Sequence, residues 1–259
     1  MRWVRYLDHD GTARYGWVHE GRVGPVTGSP WGEYERGEAT LPLEQVRLLP
    51  PVVPSKIVGV GRNYAAHAAE HGVEVPKTPL IFLKPPSALI GPGDAIVLPP
   101  QSKQVEHEAE LAVVIGRRGR WIRPDQAWEY VWGYTVANDV TARDLQRRDG
   151  QWTRAKGFDT FAPLGPWVDT DFDPSDVAIM ARVNGQERQL GFTREMVFSI
   201  PQLVAYISSV MTLLPGDVIL TGTPAGVSPL EPGDVVEIEI EGLGVLRNPV
   251  RAETAASLG

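Results

Sequence analysis

Short runs of mixed apolar and polar residues, punctuated by glycine and proline, make up most of the chain. Successive side chains of a strand point to opposite faces, so short alternating runs between turn signals favour strands. Arg2–Leu7, Ala13–His19 and Arg22–Val26 fit this pattern and are split by Asp-Gly and Glu-Gly turns. Lys56–Val60 is a short apolar run into Gly59 and Gly61, and further strands are predicted at Leu80–Leu83, Leu111–Ile115, Val131–Ala137 and Ala178–Val183. The triplet Pro-Gly-Asp occurs at 92–94, 215–217 and 232–234, each time ahead of a strand-like run (Ala95–Leu98, Val218–Thr221, Val235–Ile240). Pro followed by Gly suits a type II turn, in which glycine supplies the positive φ.

Helical composition appears at Asn63–His71, which stops at Gly72, and at Pro124–Tyr130, Thr141–Arg148 and Ser199–Val210. Strands outnumber helices and do not alternate with them regularly. A mixed, β-rich α+β fold with mostly antiparallel pairing is therefore expected, rather than a Rossmann-type sheet. The proline-rich stretch Leu48–Pro54 reads as a linker or stiff edge. It places a boundary between a small β-rich domain over residues 1–50 and a larger one over 51–259.

Composition narrows the function classes. The 259 residues contain no cysteine, which excludes thiol catalysis, disulfides and cysteine-ligated metal centres. A net charge of −7 argues against a broad nucleic-acid surface. No apolar run approaches the roughly 20 residues that span a bilayer, and the N-terminus lacks the apolar stretch of a signal peptide. The expectation is a cytoplasmic protein with no membrane or nucleic-acid partner.

The most informative segment is Val105–Gly116. As a strand it puts Glu106, Glu108 and Glu110 on one face with Ala112 and Val114. Glutamates facing water would be the ordinary reading. That face turns apolar in its second half, however, so the strand looks covered on both sides. Buried carboxylates need a partner, because an unpaired buried charge is costly. A hard divalent cation with oxygen ligands is one such partner. Asp139, between an apolar run and a helix, is the third carboxylate within reach of this idea, although an aspartate there also suits a helix N-terminus.

Gly61–Gly72 supports two readings. His67 and Glu70 lie three apart on a helix, where a carboxylate can orient a histidine as a general base. The same residues with His71 spell His-x-x-Glu-His, an inverted zinc-protease signature. The protease reading is disfavoured because Gly72 ends the helix at the second ligand and no downstream helix offers an obvious third. A surface helix with two solvated histidines is the bland alternative.

Taken in order, these segments resemble the fumarylacetoacetate hydrolase family. The resemblance runs through Lys56–Tyr64 with His67 and Glu70, Pro79–Pro85, Glu108–Gly116, Asn138–Gln146, Ala155–Asp159 with Pro163–Pro166, and Thr221–Val227. It implies a rolled, barrel-like β sheet, a homodimer, and a bound Mg2+ or Mn2+. By position, Glu108, Glu110 and Asp139 match the family's metal ligands, Lys156 its active-site lysine, and His67 with Glu70 its catalytic pair. Glu106 falls where the family varies and is set aside.

Three carboxylates and a divalent cation leave one negative charge, a poor host for a di-acid. Lys156 would neutralise it, and Arg62 and Arg143 would hold substrate carboxylates unless they serve in structural ion pairs. Gln146 lies one turn after Arg143, and Thr223 either donates to a substrate carboxylate or sets its turn. The substrate implied is a small 2-oxo or dicarboxylic acid whose metal chelation stabilises an enolate. From it, members isomerise dienols, decarboxylate, or hydrolyse carbon–carbon bonds. A short chain with Gly-Arg-Asn-Tyr resembles the isomerase/decarboxylase branch that acts on 2-hydroxy-dienoate diacids of aromatic (homoprotocatechuate) catabolism. Acylpyruvate or fumarylpyruvate hydrolysis and oxaloacetate decarboxylation are the neighbouring alternatives. A non-enzymatic β-rich binding protein is the alternative from outside the enzymes.

Overall fold

The computed structural model describes residues 1–254. Its largest sheet starts at Tyr34–Arg36 and runs through Arg22–Gly28, Ala13–His19 and Arg2–Leu7 to Ala162–Asp169. From there it continues through Val131–Asn138, Ala109–Ile115, Val218–Leu220 and Ile57–Gly61 to Leu80–Lys84. A second sheet orders Ile96–Leu98, Gly244–Ala252, Val235–Ile240, Ala178–Val183 and Gln186–Phe192. Pairing is mostly antiparallel, with parallel exceptions such as Val218–Leu220 beside Ile57–Gly61. The expected mixed, β-rich fold is what forms. Along the large sheet the hydrogen-bonded order stays open at both ends, so the rolled sheet is not a closed barrel. The N-terminal strands continue this sheet directly, through Arg2 opposite Asp169 and Trp3 opposite Val168.

The strand Ala109–Ile115 is buried along its whole length. Leu111, Val113 and Ile115 enter one apolar cluster with Val136, Ile219 and Leu203, while Ala112 and Val114 enter another with Val168, Val218 and Leu220. Cover on both faces explains why an alternating glutamate pattern fades into a continuous apolar run.

Several elements differ from expectation. Pro124–Tyr130 is a 3-10 helix rather than an α-helix. The helix expected from Thr141 begins at Arg143, because Thr141–Ala142 pairs with Val105–Glu106 as a short antiparallel ribbon. That ribbon also separates Glu106 from the strand that starts at Ala109. Ala162–Asp169 and Gln186–Phe192 are strands without a sequence signal. The first carries Pro163, Gly165 and Pro166, and the second is a polar edge strand with exposed Gln186, Glu187 and Arg188. No helix among the described residues is long and apolar enough to cross a membrane.

The doubly covered strand sets an energetic expectation. Leu111 is fully buried, so Leu111→Ala should cost about 2–5 kcal/mol in urea denaturation. Leu190 is 50% exposed, and Leu190→Ala should stay within about 0.5 kcal/mol of the parent.

Candidate active site

Strand register assembles the carboxylates. The two-residue spacing of Glu108 and Glu110 puts both on one face. Ala109 pairs with Asn138, which brings the next residue, Asp139, beside Glu108. Two hydrogen bonds lock this corner: Glu108 N donates to Asn138 Oδ1 at 2.9 Å, and Asp139 N to Glu108 O at 2.9 Å. The outcome is three buried carboxylates, each offering an oxygen within 4.8 Å of the others.

The loop after Val218–Leu220 closes over Glu110. Gly222 N donates to Glu110 Oε2 at 2.7 Å. Gly222 has φ +98°, and a Cβ there would meet the Cβ of Asn63 at 2.7 Å, so only glycine fits. Asn63 in turn holds the loop, donating to Thr221 O at 2.8 Å and accepting from Phe198 N at 2.7 Å. Arg62, the residue before it, takes a left-handed backbone with φ 60° at the cavity wall.

Cationic side chains answer the carboxylates. Lys156, from the short helix Thr153–Gly157, is buried and donates to Glu108 Oε2 at 2.8 Å and to Asp139 Oδ2. Lys84 is also buried and donates to the other oxygen of Asp139 and to Val140 O at 3.1 Å. Arg143 forks onto Glu106 Oε2 at 2.7 Å and onto Glu108, and its Nη1 donates to Gln146 Oε1 at 2.7 Å.

The charges are unevenly balanced. Burial and the neighbouring Asp139 and Glu108 push the Glu110 carboxyl well above the usual carboxylate range. Glu108 goes the other way: burial would raise it, but Lys156 and Arg143 hold it well below that range. Burial works against the ammonium of Lys156 too, yet Asp139 and Glu108 leave it raised, whereas for Lys84 burial prevails and lowers it. Burial and adjacent carboxylates together drive the Glu110 carboxyl to keep its proton, as in a site short of positive charge. The donors are all oxygens, so the residues fit a hard divalent cation.

Above this cluster the helix Ala65–Glu70 presents His67, whose Nδ1 lies 3.3 Å from Glu70 Oε2. Burial lowers the His67 pKa from the ordinary 6.5, more than Glu108 raises it. Glu70 also accepts from Gly226 N at 3.1 Å, which ties the helix to the Thr-Gly-Thr-Pro loop.

A cavity of about 230 Å³ joins these parts. Arg62, His67, Glu108, Glu110, Asp139, Arg143, Gln146, Lys156 and Thr223 line it, and Glu70 sits behind His67. Three of the four expected substrate contacts, Arg143, Gln146 and Thr223, already have protein partners. The Arg143 fork is engaged as described, and the Thr223 hydroxyl donates to Ala109 O at 2.9 Å while accepting from Gln189 at 2.8 Å. Sequence reasoning missed Lys84, whose signal was a lone lysine ending the apolar run Leu80–Leu83. It also missed Phe82, Trp152 and Arg147 on the cavity wall and the pairing of Glu106 with Arg143.

A buried carboxylate triad and a histidine–glutamate pair facing one small cavity define an enzyme that handles small organic acids. The chain belongs to the fumarylacetoacetate hydrolase family: the profile described as "Fumarylacetoacetate (FAA) hydrolase C-terminal" matches residues 56–251. A second profile, "Rv2993c-like, N-terminal", matches residues 1–51. The chain is 49% identical over 222 residues to oxaloacetate tautomerase Fahd2a, mitochondrial, of Rattus norvegicus, covering 81% of this chain and 71% of the relative. The crystal structure of 2-hydroxyhepta-2,4-diene-1,7-dioate isomerase from Mycobacterium marinum superposes with TM-score 0.90 at 45% identity, over 98% and 99% of the two chains. Maleylpyruvate hydrolase from Sphingobium sp. SYK-6, solved with manganese(II) and pyruvate, superposes with TM-score 0.81 at 33% identity, over 98% and 100%.

Glu110 yields a test of the electrostatics. Its folded-state pKa is raised, so its contribution to stability is full at low pH and is lost as pH rises through that raised value. In EDTA-treated protein, Glu110→Gln should therefore stabilise the fold by about 0.5–2 kcal/mol, with the gap widening toward alkaline pH. Thermal unfolding between pH 5 and pH 9 (about the range where most proteins stay folded) reads this directly.

Proposed function

We propose that the chain is a divalent-metal-dependent isomerase that moves a proton within a small 2-oxo or 2-hydroxy-enoic dicarboxylic acid, using Mg2+ or Mn2+ held by Glu108, Glu110 and Asp139. The observation that carries this reading is His67, buried and biased toward its neutral form, in the same cavity as the carboxylate triad. The rat tautomerase and the M. marinum isomerase are both named for proton shifts, which supports the same class of reaction here.

When bound, the cation would supply Lewis acidity toward the 2-oxygen of the substrate. The remaining chemistry falls to the chain. With its Nδ1–H donated to Glu70, His67 keeps the Nε2 lone pair as a base, and Glu70 stabilises the cation formed on proton uptake. In enol-to-keto conversion a proton leaves the 2-hydroxyl and one is added at C3; a single neutral base can serve both ends by alternating its charge. Lys156 offsets negative charge beside Glu108 and Asp139. Arg62 and Gln146, which line the cavity, would hold the substrate's carboxylates.

Carbon–carbon hydrolysis is the second reading, favoured by the likeness to the Sphingobium hydrolase. It needs His67 to activate a water instead of returning a proton to carbon.

Protein stripped with EDTA and reloaded with Mg2+ or Mn2+ should restore the decay of enol absorbance for oxaloacetate or 2-hydroxyhepta-2,4-diene-1,7-dioate. Glu108→Ala should abolish the metal-restored rate, and His67→Ala should lower kcat about 10²–10⁴-fold. Faster turnover of acylpyruvate or fumarylpyruvate, with cleavage products, would replace isomerisation by hydrolysis. The base must be neutral to work, so kcat/KM should fall on the acid side with an apparent pKa below the ordinary 6.5 of histidine. A pH profile whose acid limb lies above that value would contradict His67 as the base.

A further inference from the structure

We propose that His67, Glu70 and His71 form a second metal site, one that takes a borderline transition ion such as Zn2+ or Co2+ and is distinct from the carboxylate triad. The three side chains each offer a donor atom within 4.8 Å of the others. They come from a single turn: His67 and His71 are four residues apart, and Glu70 is three after His67, so all can reach one point beside the helix. The two imidazoles already meet edge to face with centroids 4.6 Å apart.

Two further observations point to a ligand. Nε2 of His71 is buried without any hydrogen-bond partner, the condition a coordinated ion would relieve. The contact of His67 Nδ1 with Glu70 is long, at 3.3 Å, and Glu70 also accepts from Gly226 N at 3.1 Å, which leaves its carboxylate lone pairs to offer an ion. Burial lowers the pKa of both rings, which favours the neutral imidazole that a metal requires.

Ligand chemistry separates the two sites. Oxygen-only donors suit Mg2+ and Mn2+, whereas imidazole with one carboxylate suits Zn2+ and Co2+. Both histidines line the cavity, so an ion held there faces the substrate space. In a zinc protease the glutamate of this motif stays free as the base; here Glu70 is spent as a ligand, and the site is inhibitory rather than hydrolytic. Capture of an ion takes the lone pair of His67 and stops proton transfer. That consequence rests on the proposed role of His67; the site itself does not.

The test is titration of the Mg2+-loaded enzyme with Co2+, followed by visible ligand-field absorption and by counting bound metal. One Co2+ per chain should bind while Mg2+ is retained. Losing an outer-shell partner costs about 10–100-fold in metal affinity, so loss of a ligand in His71→Gln should weaken Co2+ binding at least that much while Mg2+ affinity is kept. Glu70→Gln gives an independent second variant with the same expected direction. Co2+ bands that survive both substitutions, or that appear only as Mg2+ leaves, would overturn the site. Zn2+ should inhibit the parent enzyme and His71→Gln should resist it. Binding that depends on His71 without inhibition would uphold the site and overturn His67 as the base.

Discussion

Four carboxylates (Glu106, Glu108, Glu110 and Asp139) and three cationic side chains (Lys84, Lys156 and Arg143) are buried together where the strands Leu80–Lys84, Val105–Glu106 and Ala109–Ile115 meet two short helices. Burying so many charges is tolerable only if they are paired. Six of the seven are joined by direct ion pairs, through Arg143 to Glu106 and Glu108, and through the lysines to Glu108 and Asp139. Among the described residues Glu110 has no ion-pair partner, and burial with the neighbouring carboxylates favours its protonated form. A divalent ion would supply the missing positive charge, which is why the oxygen-only donor set fits the proposed cation.

The fold serves this constraint. Double cover of Ala109–Ile115 makes its register rigid, since a one-residue slip would exchange the carboxylate face for the apolar one. Pairing with Val131–Asn138 then fixes Asp139, and pairing with Val218–Leu220 delivers Gly222 onto Glu110. A second polar layer holds the far side. His107 Nδ1 and Ala109 N both donate to Gln189 Oε1, and Gln189 Nε2 donates to Thr223 and Pro224. The loop facing the cavity is thus anchored from the two strands and from Glu70 on the helix.

Much of this was legible in the sequence because it follows from period and turn chemistry. Alternation over Val105–Ile115 separates carboxylates from core residues, and the Pro-Gly-Asp triplets mark the starts of true strands. The rest depends on distant pairings that no local pattern encodes. Lys84 looks like the end of an apolar strand until the fold brings it across 55 positions to Asp139. Glu106 shares the alternation of Glu108 and Glu110, yet the ribbon with Thr141–Ala142 turns it toward Arg143. The same pair explains why Arg143, which reads as a free anion clamp, is largely engaged within the protein. Ala162–Asp169 becomes a strand despite its prolines because neighbours on both sides supply the pairing.

On the proposed reading, the imbalance at Glu110 is a place for a divalent ion. Crystals grown with Mn2+ and measured for anomalous scattering test it most directly. A peak coordinated by Glu108, Glu110 and Asp139 is expected, with Lys84 or Lys156 drawn away from the oxygens it now contacts. Crystals with no peak among these carboxylates, and with both lysine contacts to Asp139 intact at saturating Mn2+, would contradict it.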